Sequence, residues 1–258
     1  VYEGRTRYQD ALIFDNEFFG RVFALDNCVM LTQLDEFFYH ESLAHIPLMS
    51  HANPEQVLII GGGDGGTLRE VLKHPEVKRV VLCEIDEQVL EMSREHLKFT
   101  SCGFENPRAS IIAEDGFAYV KEHPGEFDVI LVDGTDPIGP GMILFTPDFF
   151  EQTRLALKAD GLFAQQIGSP IFYKTQVGDV FRILTAVYPE PKIYCAPTPT
   201  YASGYWSFCL CSNNAESLIK KPDTERAKKI GDTAKYYTSE IHESAFKLPP
   251  FLKDRIAL

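Results

Sequence analysis

Four runs of β-forming residues in this chain are each followed by an acid. Val57-Leu58-Ile59-Ile60 runs into Gly61-Gly62-Gly63-Asp64-Gly65-Gly66, and the run from Arg79 carries Glu84 at its end. Ala109–Ala113 precedes Glu114-Asp115-Gly116, and Phe127–Val132 precedes Asp133-Gly134-Thr135-Asp136-Pro137. If the strands are parallel, these acids share one sheet edge, where α/β proteins bind ligands. A single acid there, such as Asp115, serves equally well as a helix cap, but capping does not explain four. Gly61, Gly63 and Gly66 have the G-x-G-x-x-G spacing that lets backbone approach a nucleotide at a helix N-terminus. Asp64 contradicts the usual phosphate ligand of such a loop, because two negative charges repel. A ligand presenting a cation would suit it. Glu84, about twenty residues beyond the glycines, is placed to accept hydrogen bonds from ribose hydroxyls. That fits NAD and S-adenosylmethionine (AdoMet) alike, and a decarboxylated AdoMet has a purely cationic tail that makes Asp64 an asset.

These acids need a scaffold. From Gln56 onward strands and helices alternate: strands at Val57–Ile60, Arg79–Ile85, Ala109–Ala113, Phe127–Val132 and Leu162–Gln166. Helices fall near 67–73, 87–97, 117–122, 148–158 and 175–187. This rhythm predicts a Rossmann-like, doubly wound α/β sheet of the AdoMet-methyltransferase type. Lys192–Ala196 and Ser207–Cys211 are expected to close it as an antiparallel pair, with short helices in the tail. Upstream, Tyr8–Asp15, Gly20–Asp26 and Cys28–Thr32 read as a small antiparallel β unit, and Asp35–Met49 as a helix leading into the main domain. The expected division is a β domain with its linking helix at 1–48 and a catalytic domain at 49–258.

Composition narrows the partners. The net charge is −12, and Val1–Glu216 alone holds 16 basic against 31 acidic residues. Nucleic acid, which needs a positive field, is not an expected partner, whereas a small polycation is drawn in. The bland alternative is acidity for solubility. No apolar run approaches a membrane span and no signal peptide is visible. The six cysteines show neither disulfide-framework nor zinc spacing, so reduced thiols, a cytoplasmic location and no metal are expected. Taken singly, Tyr39 and Tyr201 read as core aromatics, His40 as a structural histidine and Asp136-Pro137 as a turn.

Longer motifs change those readings. The segment from Gly61 to Glu70 resembles the signature loop of the spermidine synthase family, the polyamine aminopropyltransferases. Tyr8-Gln9-Asp10, Asp35 through Glu41, Glu84-Ile85-Asp86, Asp133 through Gly139-Pro140, and Pro199-Thr200-Tyr201 resemble that family too. So do Tyr236-Tyr237, Ile241-His242 and Ala245-Phe246 with Leu248-Pro249. The resemblance covers nearly the whole chain apart from the family's first strands, and with Val1 in place of Met an N-terminal piece is expected to be absent.

The resemblance implies transfer of an aminopropyl group from decarboxylated AdoMet, a co-substrate rather than a resident cofactor, to putrescine. Spermidine and methylthioadenosine would be the products. It implies that Gln9 and Asp64 hold the donor's ammonium and Glu84 the ribose. Gly61, Gly63, Ile85, Asp115, Gly116 and Pro140 would complete the donor site. The acceptor would lie along Tyr39, His40, Asp64, Asp133, Asp136 and Tyr201, with Asp133 as proton acceptor assisted by Tyr39 and Asp136. Residues 133–147 would form a gate, and the chain a homodimer. An alkylammonium and an aspartate differ by ~6.5 pK units, roughly 9 kcal/mol against proton transfer in water, so enclosure must narrow that gap. Other amines (cadaverine, agmatine or spermidine), an AdoMet methyltransferase, an NAD oxidoreductase and a non-catalytic nucleoside-binding homologue are the alternatives. Gln166-Ile167-Gly168-Ser169 lacks a glutamate that some family members carry there.

Overall fold

The computed structural model describes residues 1–137, 139–173, 175–217 and 222–256. The N-terminal unit is a meander of β1 (Tyr2–Arg5), β2 (Asp10–Asn16), β3 (Gly20–Leu25) and β4 (Cys28–Thr32), paired antiparallel in that order. Asp26 and Asn27, both at positive φ, make the tight turn between β3 and β4, where Asn and Asp are the residues that best tolerate that conformation. β1 was not expected from the sequence. Its Tyr-Glu-Gly-Arg alternates half-buried and exposed, and only pairing with β2 makes a strand of it.

The helix α1 (Glu36–Ser50) follows. Then β5 (Gln56–Gly61), α2 (Gly66–Val71), β6 (Arg79–Glu84), α3 (Glu87–His96), β7 (Ala109–Ala113), α4 (Gly116–Glu122) and β8 (Phe127–Asp133) alternate. After these come α5 (Pro147–Ala156), β9 (Leu157–Gly168), α6 (Gln176–Val187), β10 (Lys192–Pro197) and β11 (Tyr205–Ser212). The tail forms α7 (Thr224–Gly231), α8 (Ser239–Ala245) and α9 (Pro250–Ile256). The large sheet has the order β10-β11-β9-β8-β5-β6-β7, parallel from β9 to β7 with an antiparallel β10–β11 hairpin at one edge. The expected α/β sheet and its antiparallel closure are both present. β9 starts at Leu157, inside the stretch expected as helix, because Leu157 pairs with Phe127 ahead of a bulge in the ladder.

Alternate strand residues feed two cores. Val57, Ile59, Val80, Leu82, Val129 and Leu131 pack beneath α1, α2 and the tail, while Leu58, Ile60, Val81, Ile130 and Val132 pack against α4, α5 and α6. This is why the central strands read as unbroken apolar runs: both faces are covered. Almost all of α1 is buried, including its polar residues, and it delivers Tyr39 and His40 to the carboxyl edge of the sheet.

Candidate active site

The chain runs from β5 outward through β6 to β7, then returns to the other side of β5 as β8. The crevice at that reversal is where open α/β sheets bind ligands. Gly61 and Asp133 are direct neighbours across it. A Cβ on Gly61 would lie 2.4 Å from the Asp133 carbonyl oxygen, and one on Gly62 2.8 Å from its Oδ2; both glycines also have positive φ. Only glycine permits this approach. The Gly62 N–H donates to the Asp133 carbonyl at 2.8 Å, which joins the two strand ends into one rim.

A cavity of about 160 Å³ opens there, between this rim and the small β unit. Gln9, Gly61, Gly63, Glu84, Ile85, Asp115 and Gly116 line it, together with Tyr8, Leu25 and Cys83. Asp115 also caps α4, accepting from the Phe117 N–H at 2.8 Å, so the capping and lining readings are both true. The Glu84 carboxylate accepts from Gly63 N–H at 3.2 Å and Asp86 N–H at 3.0 Å. Burial nevertheless raises its pKa to about 7 against those bonds. Gln9 donates its side-chain amide to Asp86 at 3.2 Å, which leaves its amide oxygen as the acceptor it can offer. The ring of Pro140 lies outside the described residues; Gly141, Ile143 and Leu144 line the cavity.

In the same cavity His40, Asp64 and Asp133 converge, with side-chain ligand atoms all within 4.8 Å of one another. Asp64 Oδ1 accepts from the Gly66 N–H at 2.8 Å and lies 3.4 Å from His40 Nε2. Thr67 donates to Asp133 Oδ2 at 2.6 Å. Burial raises the Asp64 pKa to about 6, the His40 charge pulling against it and Asp133 adding to it. For His40, burial opposes the charge, but Asp64 and the hydrogen-bonded Glu36 outweigh it and hold the pKa at about 9. The raised pKa favours the charged ring, which stands between the Glu36 and Asp64 carboxylates. Tyr39 stands beside it, its hydroxyl kept protonated by burial and the Asp133 charge.

Asp136 is displaced from this cluster. It lines an adjoining cavity of about 260 Å³ with Gln166, Tyr173, Trp206 and Ala202, which shares Met30, Tyr39, Gly134, Thr135 and Tyr201 with the first. Tyr173 donates to Asp136 Oδ2 at 3.0 Å, while Oδ1 is buried and has no hydrogen-bond partner among the described residues. Burial raises its pKa. Tyr201 spends its hydroxyl on the Met30 carbonyl and presents its ring, 5.8 Å from Tyr39 and 4.9 Å from Trp206. Sequence reasoning missed Thr67, Tyr173 and Trp206. Thr67 sits inside the glycine motif and was open to notice; the other two carry no local signal.

The chain is similar to known proteins over nearly its whole length. The family profile for the spermine/spermidine synthase domain matches residues 36–221, and that for the spermidine synthase tetramerisation domain matches residues 1–33. A polyamine aminopropyltransferase of Thermotoga neapolitana is 45% identical over 259 residues, covering 100% of this chain and 87% of the relative. One from Thermoanaerobacter sp. is 46% identical over 250 residues, covering 97% and 89%. A crystal structure of a spermidine synthase in complex with the transition-state analogue AdoDATO superimposes with a TM-score of 0.96 at 45% identity, covering 99% of this chain and 87% of that one. The spermidine synthase of Thermotoga maritima gives 0.92 at 42% identity, with the same coverage.

Proposed function

Because the chain belongs to the spermine/spermidine synthase family and is an aminopropyltransferase, we propose that it makes spermidine from decarboxylated AdoMet and putrescine. The observation that carries this reading is Asp64, an acid set where a phosphate-binding loop would need none and ion-paired beside Asp133. The donor's nucleoside lies against Glu84, Ile85, Asp115 and Gly116, and its ammonium between Gln9 and Asp64. The diamine spans the two joined cavities, one end at Asp133 and the other at the unpartnered Oδ1 of Asp136. Beyond that oxygen, Gln166 is neutral: it donates to Gly134 and accepts from Trp206 and Gly168, and its amide also acts on Asp136, against the effect of burial. Two acids for two ammonium groups favour a diamine over a longer polyamine.

The chemistry is an in-line displacement. A deprotonated amine attacks the methylene bonded to sulfur, the C–S bond breaks, and its electron pair turns the sulfonium into a neutral thioether. One proton per turnover must leave the amine. Asp133 is its acceptor in this reading, with Tyr39 orienting the nitrogen and the segment 133–147, of which Ile138 lies outside the described residues, closing over the site; enclosure disfavours both the ammonium and the carboxylate charge. Most of the acceleration comes from alignment, since the leaving group is already good. Self-association, as a homodimer or larger, is part of the proposal and is supported by the tetramerisation-domain match; light scattering of the purified chain tests it.

Incubating the chain with decarboxylated AdoMet and a panel of amines, and assaying methylthioadenosine, tests the reaction. Putrescine should be the best acceptor. Faster turnover with cadaverine, agmatine or spermidine would move the acceptor, and no product with any amine would favour a nucleoside-binding homologue.

A further inference from the structure

Behind the cavity wall, at the α1–α2 contact, buried charges form an alternating row. Glu36 lies one turn before His40 on α1, and its Oε2 meets His40 Nδ1 at 2.6 Å. Arg69 on α2 grips Glu36 with two nitrogens, at 3.1 and 2.8 Å, and donates to Glu70 at 2.7 Å and the Phe99 carbonyl at 2.9 Å. Glu70 in turn meets Lys73 at 2.6 Å and His45 at 3.1 Å. At the other end His40 Nε2 faces Asp64 Oδ1. The Glu36, His40 and Glu70 side chains are at most 4% exposed. Only His40 and Asp64 of this row line the main cavity.

The glycine loop also closes on the His40 ring: a Cβ on Gly66 would sit 2.2 Å from its Cε1, so only glycine fits there. The charged groups facing it are Glu36 from its own helix, Asp64 from the glycine loop and Asp133 from the end of β8. The Tyr39 ring adjoins it and Arg69 stands behind Glu36.

A buried imidazole without such partners sheds its proton. We propose that Glu36, clamped by Arg69, is a positioning residue for aminopropyl transfer. It holds the His40 ring through Nδ1, so that Nε2 stands in ion-pair contact with one oxygen of Asp64, at 3.4 Å, and leaves the other for a ligand ammonium. Arg69 cannot release a proton, so the row is an electrostatic brace rather than a proton wire. The consequence for turnover rests on the function proposed above; the state of the ring does not.

The test is a ¹⁵N-histidine titration of the whole chain, with the His40 signal assigned by its loss in His40→Asn. The wild-type ring should carry protons on both nitrogens at neutral pH and keep them to about 9. Glu36→Gln should bring that titration, and the alkaline limb of kcat/KM for the acceptor, down by at least about one pH unit. In the His40→Asn background Glu36→Gln should change kcat/KM by less than about twofold, because its effect runs through the ring. Arg69→Lys, which keeps charge but loses the two-pronged grip, should give a smaller shift in the same direction and serves if Glu36→Gln does not fold. A single-tautomer neutral ring in the wild type, an unmoved titration in a folded variant, or additive effects in the double variant would overturn the proposal. Because the ring is read without turnover, loss of methylthioadenosine formation with an intact imidazolium would count against the proposed reaction and not against the brace.

Discussion

Glu84 and Asp64 carry their charges at a cost, since burial raises the first to about 7 and the second to about 6. Carboxylates raised above their unfolded values add stability that is complete below those values and lost as pH rises through 6 to 7. Glu36 has the opposite sign. Burial raises its pKa, but the His40 and Arg69 contacts outweigh it and bring it to about 2, so its contribution is present above about 4.5 and lost in acid. A ligand that needs Glu84 and Asp64 ionised should therefore do more for the fold at a pH where they are already ionised. Decarboxylated AdoMet should raise Tm further at about pH 8 than at about pH 5.5. Scanning fluorimetry at fixed ligand concentration measures this, and a larger gain at the acidic pH would remove these two acids from the donor site. Asp133 and Asp136, both marked by the sequence, occupy different cavities, and no spacing argument separates residues three apart.

The helix α1 shows what an element can hide. Glu41 reads as a polar interruption on its apolar side, yet it is 1% exposed. Its carboxylate accepts from the backbone N–H of Lys235, Tyr236 and Tyr237, each at 2.8 Å, and so docks the tail onto the helix that carries Tyr39 and His40. Glu41→Gln would present an amide N–H₂ to backbone donors. It should lower stability by about 2–4 kcal/mol, read as a fall in the urea midpoint. A change within a few tenths of a kcal/mol would mean that packing alone holds the tail. At the other end of α1, Asp35 does not cap the helix with its side chain; it accepts from Thr32 and from the Thr200 N–H, tying the Tyr201 loop to the helix start. We propose the division of the chain near residue 48 with α1 as the linking helix, which limited proteolysis would test by cutting there or elsewhere. The strands and helices were legible because their apolar period survives in one dimension. The Lys235–Tyr237 partners of Glu41 and the Thr200 partner of Asp35 lie more than 150 residues away and leave no periodic trace.

Across the whole molecule, the net charge of −12 should gather a dicationic substrate. Raising salt from roughly 50 to 300 mM should lower kcat/KM for the diamine while leaving kcat nearly unchanged, because screening acts on encounter and not on the enclosed step. Steady-state kinetics at several ionic strengths checks this; a fall in kcat alone would place the salt effect inside the site. No helix among the described residues is long and apolar enough to cross a membrane. By itself the sequence determined the alternating α/β sheet, the β unit, the glycine loop and the acids at four strand ends. Each is written in neighbouring residues, through apolar period, turn chemistry and the constraint that only glycine lets backbone approach backbone. Tertiary structure alone decided that Asp64 faces His40, that Asp136 opens onto a second cavity beside Tyr173, and that Glu36 and Arg69 stand behind His40. Those are questions of burial and facing charge, and a side chain's neighbours across a fold are not its neighbours along the chain.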